Sequence, residues 1–389
     1  MRYSIPARLP ALMTLLLCLF ISTSTLAAAP IIPAPPNLAA KSWLLMDAKT
    51  GHVITEYNAD QRLPPASLTK MMTTYIASEQ LQSGNIRYDD MVRISEKAWR
   101  KGGSKMYIRE GTEVKLEDLM RGIIIQSGND ASIALAEYIA GSEDAFADLM
   151  NQTAYSLGMN SSHFVNATGW PADNHYTTAR DLAILARATV EDHPEDYAMY
   201  AEKEFTYNNI RQPNRNSLLW LDDSVDGIKT GHTEAAGYCL VASAERDNMR
   251  LISVVMGTDS EKARAAESQK LLTYGFRFYE TVNSFDAGEE LLQAEIWKGA
   301  GDQISLGTAD AIWLTIPRGT ANAIEAELEV PELLEAPVTE GQEIGTITLT
   351  LNGDTLARQP LVALEAVEEG GLFKRLWHWL VLTIKGLFQ

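Results

Sequence analysis

Cysteine is nearly absent from this chain, histidine is sparse, and bases are outnumbered by acids. Two cysteines occur in 389 residues, and Cys18 lies in an N-terminal stretch that reads as a cleaved leader. Cys239 then stands alone, so no intrachain disulfide can form. Within Gly237-Tyr238-Cys239-Leu240-Val241 it reads as a buried strand residue rather than a nucleophile. The six histidines show no metal-ligand spacing such as His-Glu-x-x-His, so neither metal nor cofactor is expected. Lys and Arg number 33 against 51 acids; without Arg2 and Arg8 the balance is 31 against 51, a net charge of −20. So acidic a protein is a poor partner for nucleic acid. The apolar run from Leu9 to Ile21 is short for a membrane span. Basic residues before it and Ser, Thr and Ala after it, to Ala29, give the pattern of a secretory signal cut within Ala27–Ala29. Export follows from that reading.

What is present begins with Pro65-Ala66-Ser67-Leu68-Thr69-Lys70. The apolar stretch after it has no Gly or Pro until Gly84 and predicts a helix. Ser67 and Lys70, three apart, share one face of its first turn, at the positive end of the helix dipole. Serine is a weak nucleophile until a neighbour takes its proton, and a lysine of lowered pKa can do so. Alone, the same residues describe an N-capped helix with a surface lysine. The pair needs partners.

A nucleophile of this kind needs a second hydroxyl or amide to move protons and hold a substrate amide. It also needs a strand cation to hold a carboxylate and keep Lys70 neutral. Each motif that fits occurs twice. Ser83-Gly84-Asn85 lies sixteen residues beyond Ser67 on the same helix, about 24 Å away at the helical rise, and Gly84 suits a C-cap. Ser127-Gly128-Asn129 lies in a loop between Ile123-Ile124-Ile125 and a helix opening at Asp130, where its side chains can enter a cleft. Lys49-Thr50-Gly51 fits a hairpin turn between strands at Ser42 to Met46 and His52 to Tyr57. Lys229-Thr230-Gly231, followed by His232-Thr233, leads towards a strand at Gly237, and a close-approach glycine there suits binding of an extended peptide. The order Ser67, Ser127, Lys229 selects the second copy of each.

Between these landmarks, helices are expected near Lys115 to Met120, Asp130 to Ala140, Asp144 to Ser156, Thr178 to Val190 and Ala263 to Tyr279. Strands are expected at Gly237 to Ala244 and Arg250 to Met256. Strands at both ends and helices between them predict one antiparallel sheet covered by helices. Residues 285–365 carry fifteen acids and three bases, with Ile344 to Leu351 alternating before Asn352-Gly353, which predicts a hairpin in a small all-β domain. From Glu368 onward, Leu372, Phe373, Leu376, Trp377, Leu380, Val381, Ile384, Leu387 and Phe388 form one side of a helix and Lys374, Arg375, His378 and Lys385 the other. Such a helix lies in a membrane interface or packs on the protein's own core; tryptophans beside cations favour the membrane. The expected organisation is a signal peptide at 1–29, a catalytic domain at 30–284, a β domain at 285–367 and an anchor helix at 368–389.

Ser-x-x-Lys, Ser-x-Asn and Lys-Thr-Gly occur together in penicillin-binding proteins and class A β-lactamases. On these residues the chain resembles the low-molecular-mass penicillin-binding proteins, serine-type D-alanyl-D-alanine carboxypeptidases. The resemblance extends to Asn208 to Leu219, Leu251 to Gly257, Ala265 to Phe278 and the amphipathic tail. It implies an α/β (α+β) DD-peptidase/β-lactamase fold. Ser67 would be acylated, Lys70 would accept its proton, and Ser127 and Asn129 would handle the leaving group and substrate amide. Lys229, Thr230 and Arg264 would grip the terminal carboxylate beside Gly231, His232 and Thr233, with the amides of Ser67 and His232 as oxyanion hole. Arg264 rests on the likeness alone and otherwise reads as a helix-surface residue. The implied reaction removes the terminal D-Ala from peptidoglycan stem pentapeptides during cell-wall remodelling, with β-lactams as acylating inhibitors. The implied place is the periplasm, at the outer face of the inner membrane. A β-lactamase needs fast deacylation, and no Glu-x-x-Leu-Asn type stretch lies between Ser127 and Lys229. A D,D-endopeptidase shares the same core, and a non-catalytic wall-binding protein would not need these residues.

Overall fold

The computed structural model describes residues 2–6 and 32–386, with no side chains for 2–6, 385 and 386. Of the expected leader only Arg2–Pro6 falls among them, as a strand antiparallel to Ile324–Glu329; the rest lies outside the described residues. The chain divides into one compact unit, Pro33–Phe278, and another from Tyr279 onward that includes the N-terminal strand.

The first unit is built on a five-stranded antiparallel sheet. Its order is Val53–Tyr57, Ser42–Asp47, Met249–Thr258, Gly237–Arg246 and Val225–Thr233. Ser42–Asp47, early in this unit, therefore pairs with the late strand Met249–Thr258, as strands before and after the helices predict. The central strands are buried along most of their length, because helices cover them. Val225–Thr233 is left as an edge, with one side of its backbone unpaired within the sheet.

The helix Thr69–Gln82 is buried on all sides over Thr69 to Ser78, and its polar residues there are hydrogen-bonded inside, Thr73 to Ala167 O and Thr74 to Lys70 O. Leu116–Ile124, Asn129–Ala140, Glu143–Ser156 and Ala179–Asp192 surround it. Their starts follow from local chemistry: Ser142 and Thr178 cap theirs by accepting the amides of Ala145 and Asp181. Glu261–Phe278 packs on the strands Gly237–Arg246 and Met249–Thr258.

The second unit holds a six-stranded antiparallel sheet over a core that includes Ile304, Leu306, Leu328, Ile347 and Leu361. Leu351 pairs with Asp354 around Asn352-Gly353, both at positive φ, the backbone that this dipeptide favours. Tyr279–Phe285 pairs with Ile312–Pro317 in this unit, so the division falls six residues before the expected one at 284. The last helix, Leu372–Gly386, sets His378 against Trp297 at 5.1 Å and accepts the Lys298 amide on His378 Nδ1. Lys374 pairs with Asp302 at 2.7 Å and Arg375 with Glu369. These cations stand beside protein carboxylates while staying partly exposed, and the large apolar side chains Leu372, Phe373, Leu376 and Trp377 are exposed as well. No described helix is long and apolar enough to cross a membrane.

Candidate active site

Ser67 sits in a 3-10 turn, Ala66–Leu68, and not in the α-helix proper, which starts at Thr69. The turn keeps the expected neighbour: Lys70 Nζ lies 3.0 Å from Ser67 Oγ. Lys70 is not a surface residue; it is fully buried. Its amine donates to Asn129 Oδ1 at 2.7 Å and to the Thr168 carbonyl at 2.6 Å. Burial holds its pKa down at about 7, with Arg215 and Lys101 lowering it further and Asp130 opposing them. Burial is thus the main cause, where the sequence pointed to repulsion by Lys229.

The consequence is chemical. A neutral amine has two N–H groups and one lone pair. With the two N–H groups committed to Asn129 and Thr168, the lone pair is left for the Ser67 hydroxyl. None of the three partners is a carboxylate. The arrangement is that of a general base aimed at a nucleophile.

Ser127 approaches from the loop before Asn129–Ala140, at φ 64. Its hydroxyl is buried and has no partner among the described residues, so it is available to a substrate. Asn129 is fixed from behind: its Nδ2 donates to Gly102 O at 2.8 Å and its amide to Ser104 O at 2.8 Å. Asp130 accepts the amides of Met106 and Tyr107 at 2.8 and 2.9 Å, stapling the same loop. The copy at Ser83 caps the far end of the Ser67 helix, with Gly84 at φ 71.

Lys229, Thr230 and Gly231 lie on the edge strand. A Cβ on Gly231 would stand 3.2 Å from Pro65 O and 3.3 Å from Ala66 Cβ, so this strand packs directly on the Ser67 turn. Lys229 is buried and donates to Thr230 O. Burial, then Lys70, Arg215 and Arg264, push its pKa well below the lysine range. Arg264 is buried too, with Nη1 on the Gly231 carbonyl at 3.4 Å and the guanidinium 5.7 Å from the Tyr238 ring. His232 stacks on Tyr238 at 3.9 Å, and Thr233 accepts the Ala236 amide at the strand's end. Lys49-Thr50-Gly51 belongs instead to the turn between the strands Ser42–Asp47 and Val53–Tyr57, with Gly51 at φ 71.

Four contributors escaped sequence reasoning. Thr168 acts through its carbonyl, for which no side chain gives a signal. Lys101 and Arg215 act on Lys70 through charge, from loops far away in sequence. Gly169 had a signal of a kind, a glycine in a loop: at φ 80, its Cβ would lie 1.7 Å from Ala66 O.

The comparisons with known proteins identify the family. The D-alanyl-D-alanine carboxypeptidase family, peptidase S11, matches residues 29–260, and the C-terminal domain of penicillin-binding protein 5 matches residues 279–369. D-alanyl-D-alanine carboxypeptidase DacC of Escherichia coli K12 is 45% identical over 378 residues, spanning 95% of this chain and 94% of its own. The crystal structure of penicillin-binding protein 5 from Haemophilus influenzae superposes with a TM-score of 0.83 at 43% identity, covering 87% of this chain and 100% of that one. Penicillin-binding protein D2 from Listeria monocytogenes, solved in an ampicillin-bound form, matches at 30% identity and a TM-score of 0.58, over 62% of this chain and 100% of its own. The chain belongs to the peptidase S11 family and is a serine-type D-alanyl-D-alanine carboxypeptidase of the penicillin-binding-protein kind.

Proposed function

We propose that Ser67 attacks the carbonyl of the penultimate D-Ala while Lys70 takes its proton. The terminal D-Ala leaves with a proton passed through Ser127, and water then hydrolyses the Ser67 ester. Asn129 holds the substrate amide. Lys229, Thr230 and Arg264 bind the terminal carboxylate beside Gly231, His232 and Thr233, and the Ser67 and His232 amides receive the oxyanion. The observation that carries this reading is the buried, neutral-leaning Lys70 with its lone pair left for Ser67 Oγ. A β-lactam presents the same carboxylate and reactive amide, and the ampicillin-bound Listeria relative supports acylation of Ser67 by such compounds. The natural substrate is a peptidoglycan stem peptide ending in D-Ala-D-Ala.

The enzyme works in the periplasm, peripherally held on the outer face of the inner membrane by the helix Leu372–Gly386. That helix is supported as an anchor by Phe373 and Trp377, 88% and 64% exposed, together with Leu372, Leu376, Trp379, Leu380 and Ile384. The roles are tested by incubating the protein with a labelled penicillin and with a D-Ala-D-Ala peptide, reading intact mass and D-Ala release. Ser67→Ala should abolish both signals and stay folded; labelling that persists in this variant would remove Ser67 from the mechanism.

A further inference from the structure

Lys70 points at Ser67 only because its two N–H groups have fixed acceptors. Asn129 Oδ1 is one of them, braced by its own hydrogen bonds. The other is a main-chain carbonyl, Thr168 O, in a loop segment that needs its own support. Asn166 supplies it. Its Oδ1 accepts the amides of Thr168 at 3.1 Å, Gly169 at 2.8 Å and Trp170 at 3.1 Å, as well as Thr168 Oγ1 at 2.9 Å. Its Nδ2 donates to Trp170 O at 2.9 Å. One side chain thus closes the whole 166–170 turn from the inside, an Asx-type arrangement.

The side chain is itself oriented. Asn166 Nδ2 lies 3.3 Å from His175 Nδ1, which also accepts the Val165 amide at 3.3 Å. Nδ1 must therefore be the acceptor, and Nε2–H donates to Thr69 Oγ1 at 2.9 Å, one residue before Lys70. Burial pushes the His175 pKa down to about 4, so this tautomer persists through neutral pH. The turn is also tied to the nucleophile's side of the cleft, where Gly169 leaves no room for a Cβ against Ala66 O.

We propose that Asn166 is a positioning residue for catalysis: it holds the Thr168 carbonyl where that carbonyl takes one Lys70 N–H and so directs the lysine lone pair at Ser67. The proposal rests on Lys70 being the base. Asn166 does not touch the substrate in this account; it acts through the carbonyl.

The measurement is the second-order rate of acylation by a fluorescent penicillin, followed from pH 5 to 10. Lys70 is faced by Lys229 on the edge strand, Asp130 on the helix Asn129–Ala140, Lys101 and Arg215 on loops, and the neutral His175 beyond Thr69. All of these remain in Asn166→Leu, which removes only the acceptor and donor. Its plateau rate should fall about tenfold or more, because the amine is no longer aimed. Its acid limb should move to lower pH by roughly half a unit, because the ammonium loses a carbonyl acceptor. Asn166→Asp keeps an oxygen for the three amides and should recover the plateau to within about threefold. A merely structural role would lower the melting temperature of both variants and leave the limb in place. An unmoved limb overturns the proposal. So does an upward move, which would mean that Asn166 keeps water out rather than holding the carbonyl. Lys70→Ala separates the two readings. If it acylates at the wild-type rate, the base assignment fails; if it is inert while Asn166→Leu keeps the wild-type profile, only the Asn166 proposal fails.

Discussion

Removing a positive charge from the rim of the site should make Lys70 easier to protonate. Lys70 has its pKa lowered to about 7, so below that pH it carries a proton and cannot act as base. Activity should therefore rise through neutral pH and level off above it. Lys101 contributes to the lowering; in Lys101→Met the acid limb of D-Ala release should move up by roughly a few tenths of a unit. A downward move in its pH profile would show that Lys101 does not act on Lys70 by charge. The two Lys-Thr-Gly copies give a sharper contrast. Lys229→Ala should cost on the order of a hundredfold or more in kcat/KM, since it strips from the carboxylate site a buried amine that a bound carboxylate would hold as ammonium, whereas Lys49→Ala should change it less than about twofold. Equal losses would mean that the wrong copy has been assigned. At this scale the spacing of Ser67 and Lys70 was legible because three residues along any helical turn bring side chains together. Ser127 and Lys229 were legible through order. The Thr168 carbonyl was not, because a main-chain acceptor leaves no trace in residue type.

A glycine decides how two elements meet. The 166–170 turn lies against Ala66 so closely that Gly169→Ala would drive a methyl into Ala66 O, at a φ of 80 that alanine rarely adopts. Either the turn or the Ser67 segment must shift, and both carry contacts of Lys70. We expect Gly169→Ala to lose most D-Ala release and to unfold earlier by several degrees, a cost of about 2 kcal/mol or more. Gly84→Ala, also at positive φ but with open space around it, carries only the backbone strain and should keep wild-type turnover. If thermal melts and turnover of the two variants coincide, the packing argument at Gly169 fails. Periodicity found the long elements, including the helix Asn129–Ala140 and the strands Gly237–Arg246 and Met249–Thr258, because burial on one or all faces imprints a pattern. It missed Glu96–Arg100 and the short pairs Met91–Arg93 with Glu113–Lys115 and Glu204–Tyr207 with Ile210–Pro213. Elements of three to five residues are too short for a period to show.

For the whole molecule the sequence suggested an amphipathic tail, cations on one side and large apolar residues on the other, lying in a membrane interface. The structure redistributes those roles. Lys374 and Arg375 are engaged by Asp302 and Glu369, and His378 by Trp297 and the Lys298 amide. What the described side chains leave unpaired for a membrane is apolar: Leu372, Phe373, Leu376, Trp377, Trp379, Leu380 and Ile384 are exposed. Each contributes about 1–2 kcal/mol when partly buried in the interface, with ordering losses subtracted from the sum. Electrostatic attraction to anionic lipid would add roughly 1 kcal/mol per free cation and would be screened by salt. With two of the cations already paired, the membrane-bound fraction should change little between low and high salt. Ala300 donates its amide to Glu368 O and Gly370 to Lys298 O, both at 2.7 Å, so the chain is part of the β unit up to that point. Ending it at Gly371 keeps those contacts. The truncated enzyme should fractionate as a soluble periplasmic protein with unchanged turnover on small peptides, and the full chain should sediment with membranes in high salt until detergent is added. Release by salt alone would restore the cations as the anchor. Loss of small-peptide turnover on truncation would make the helix part of the fold instead.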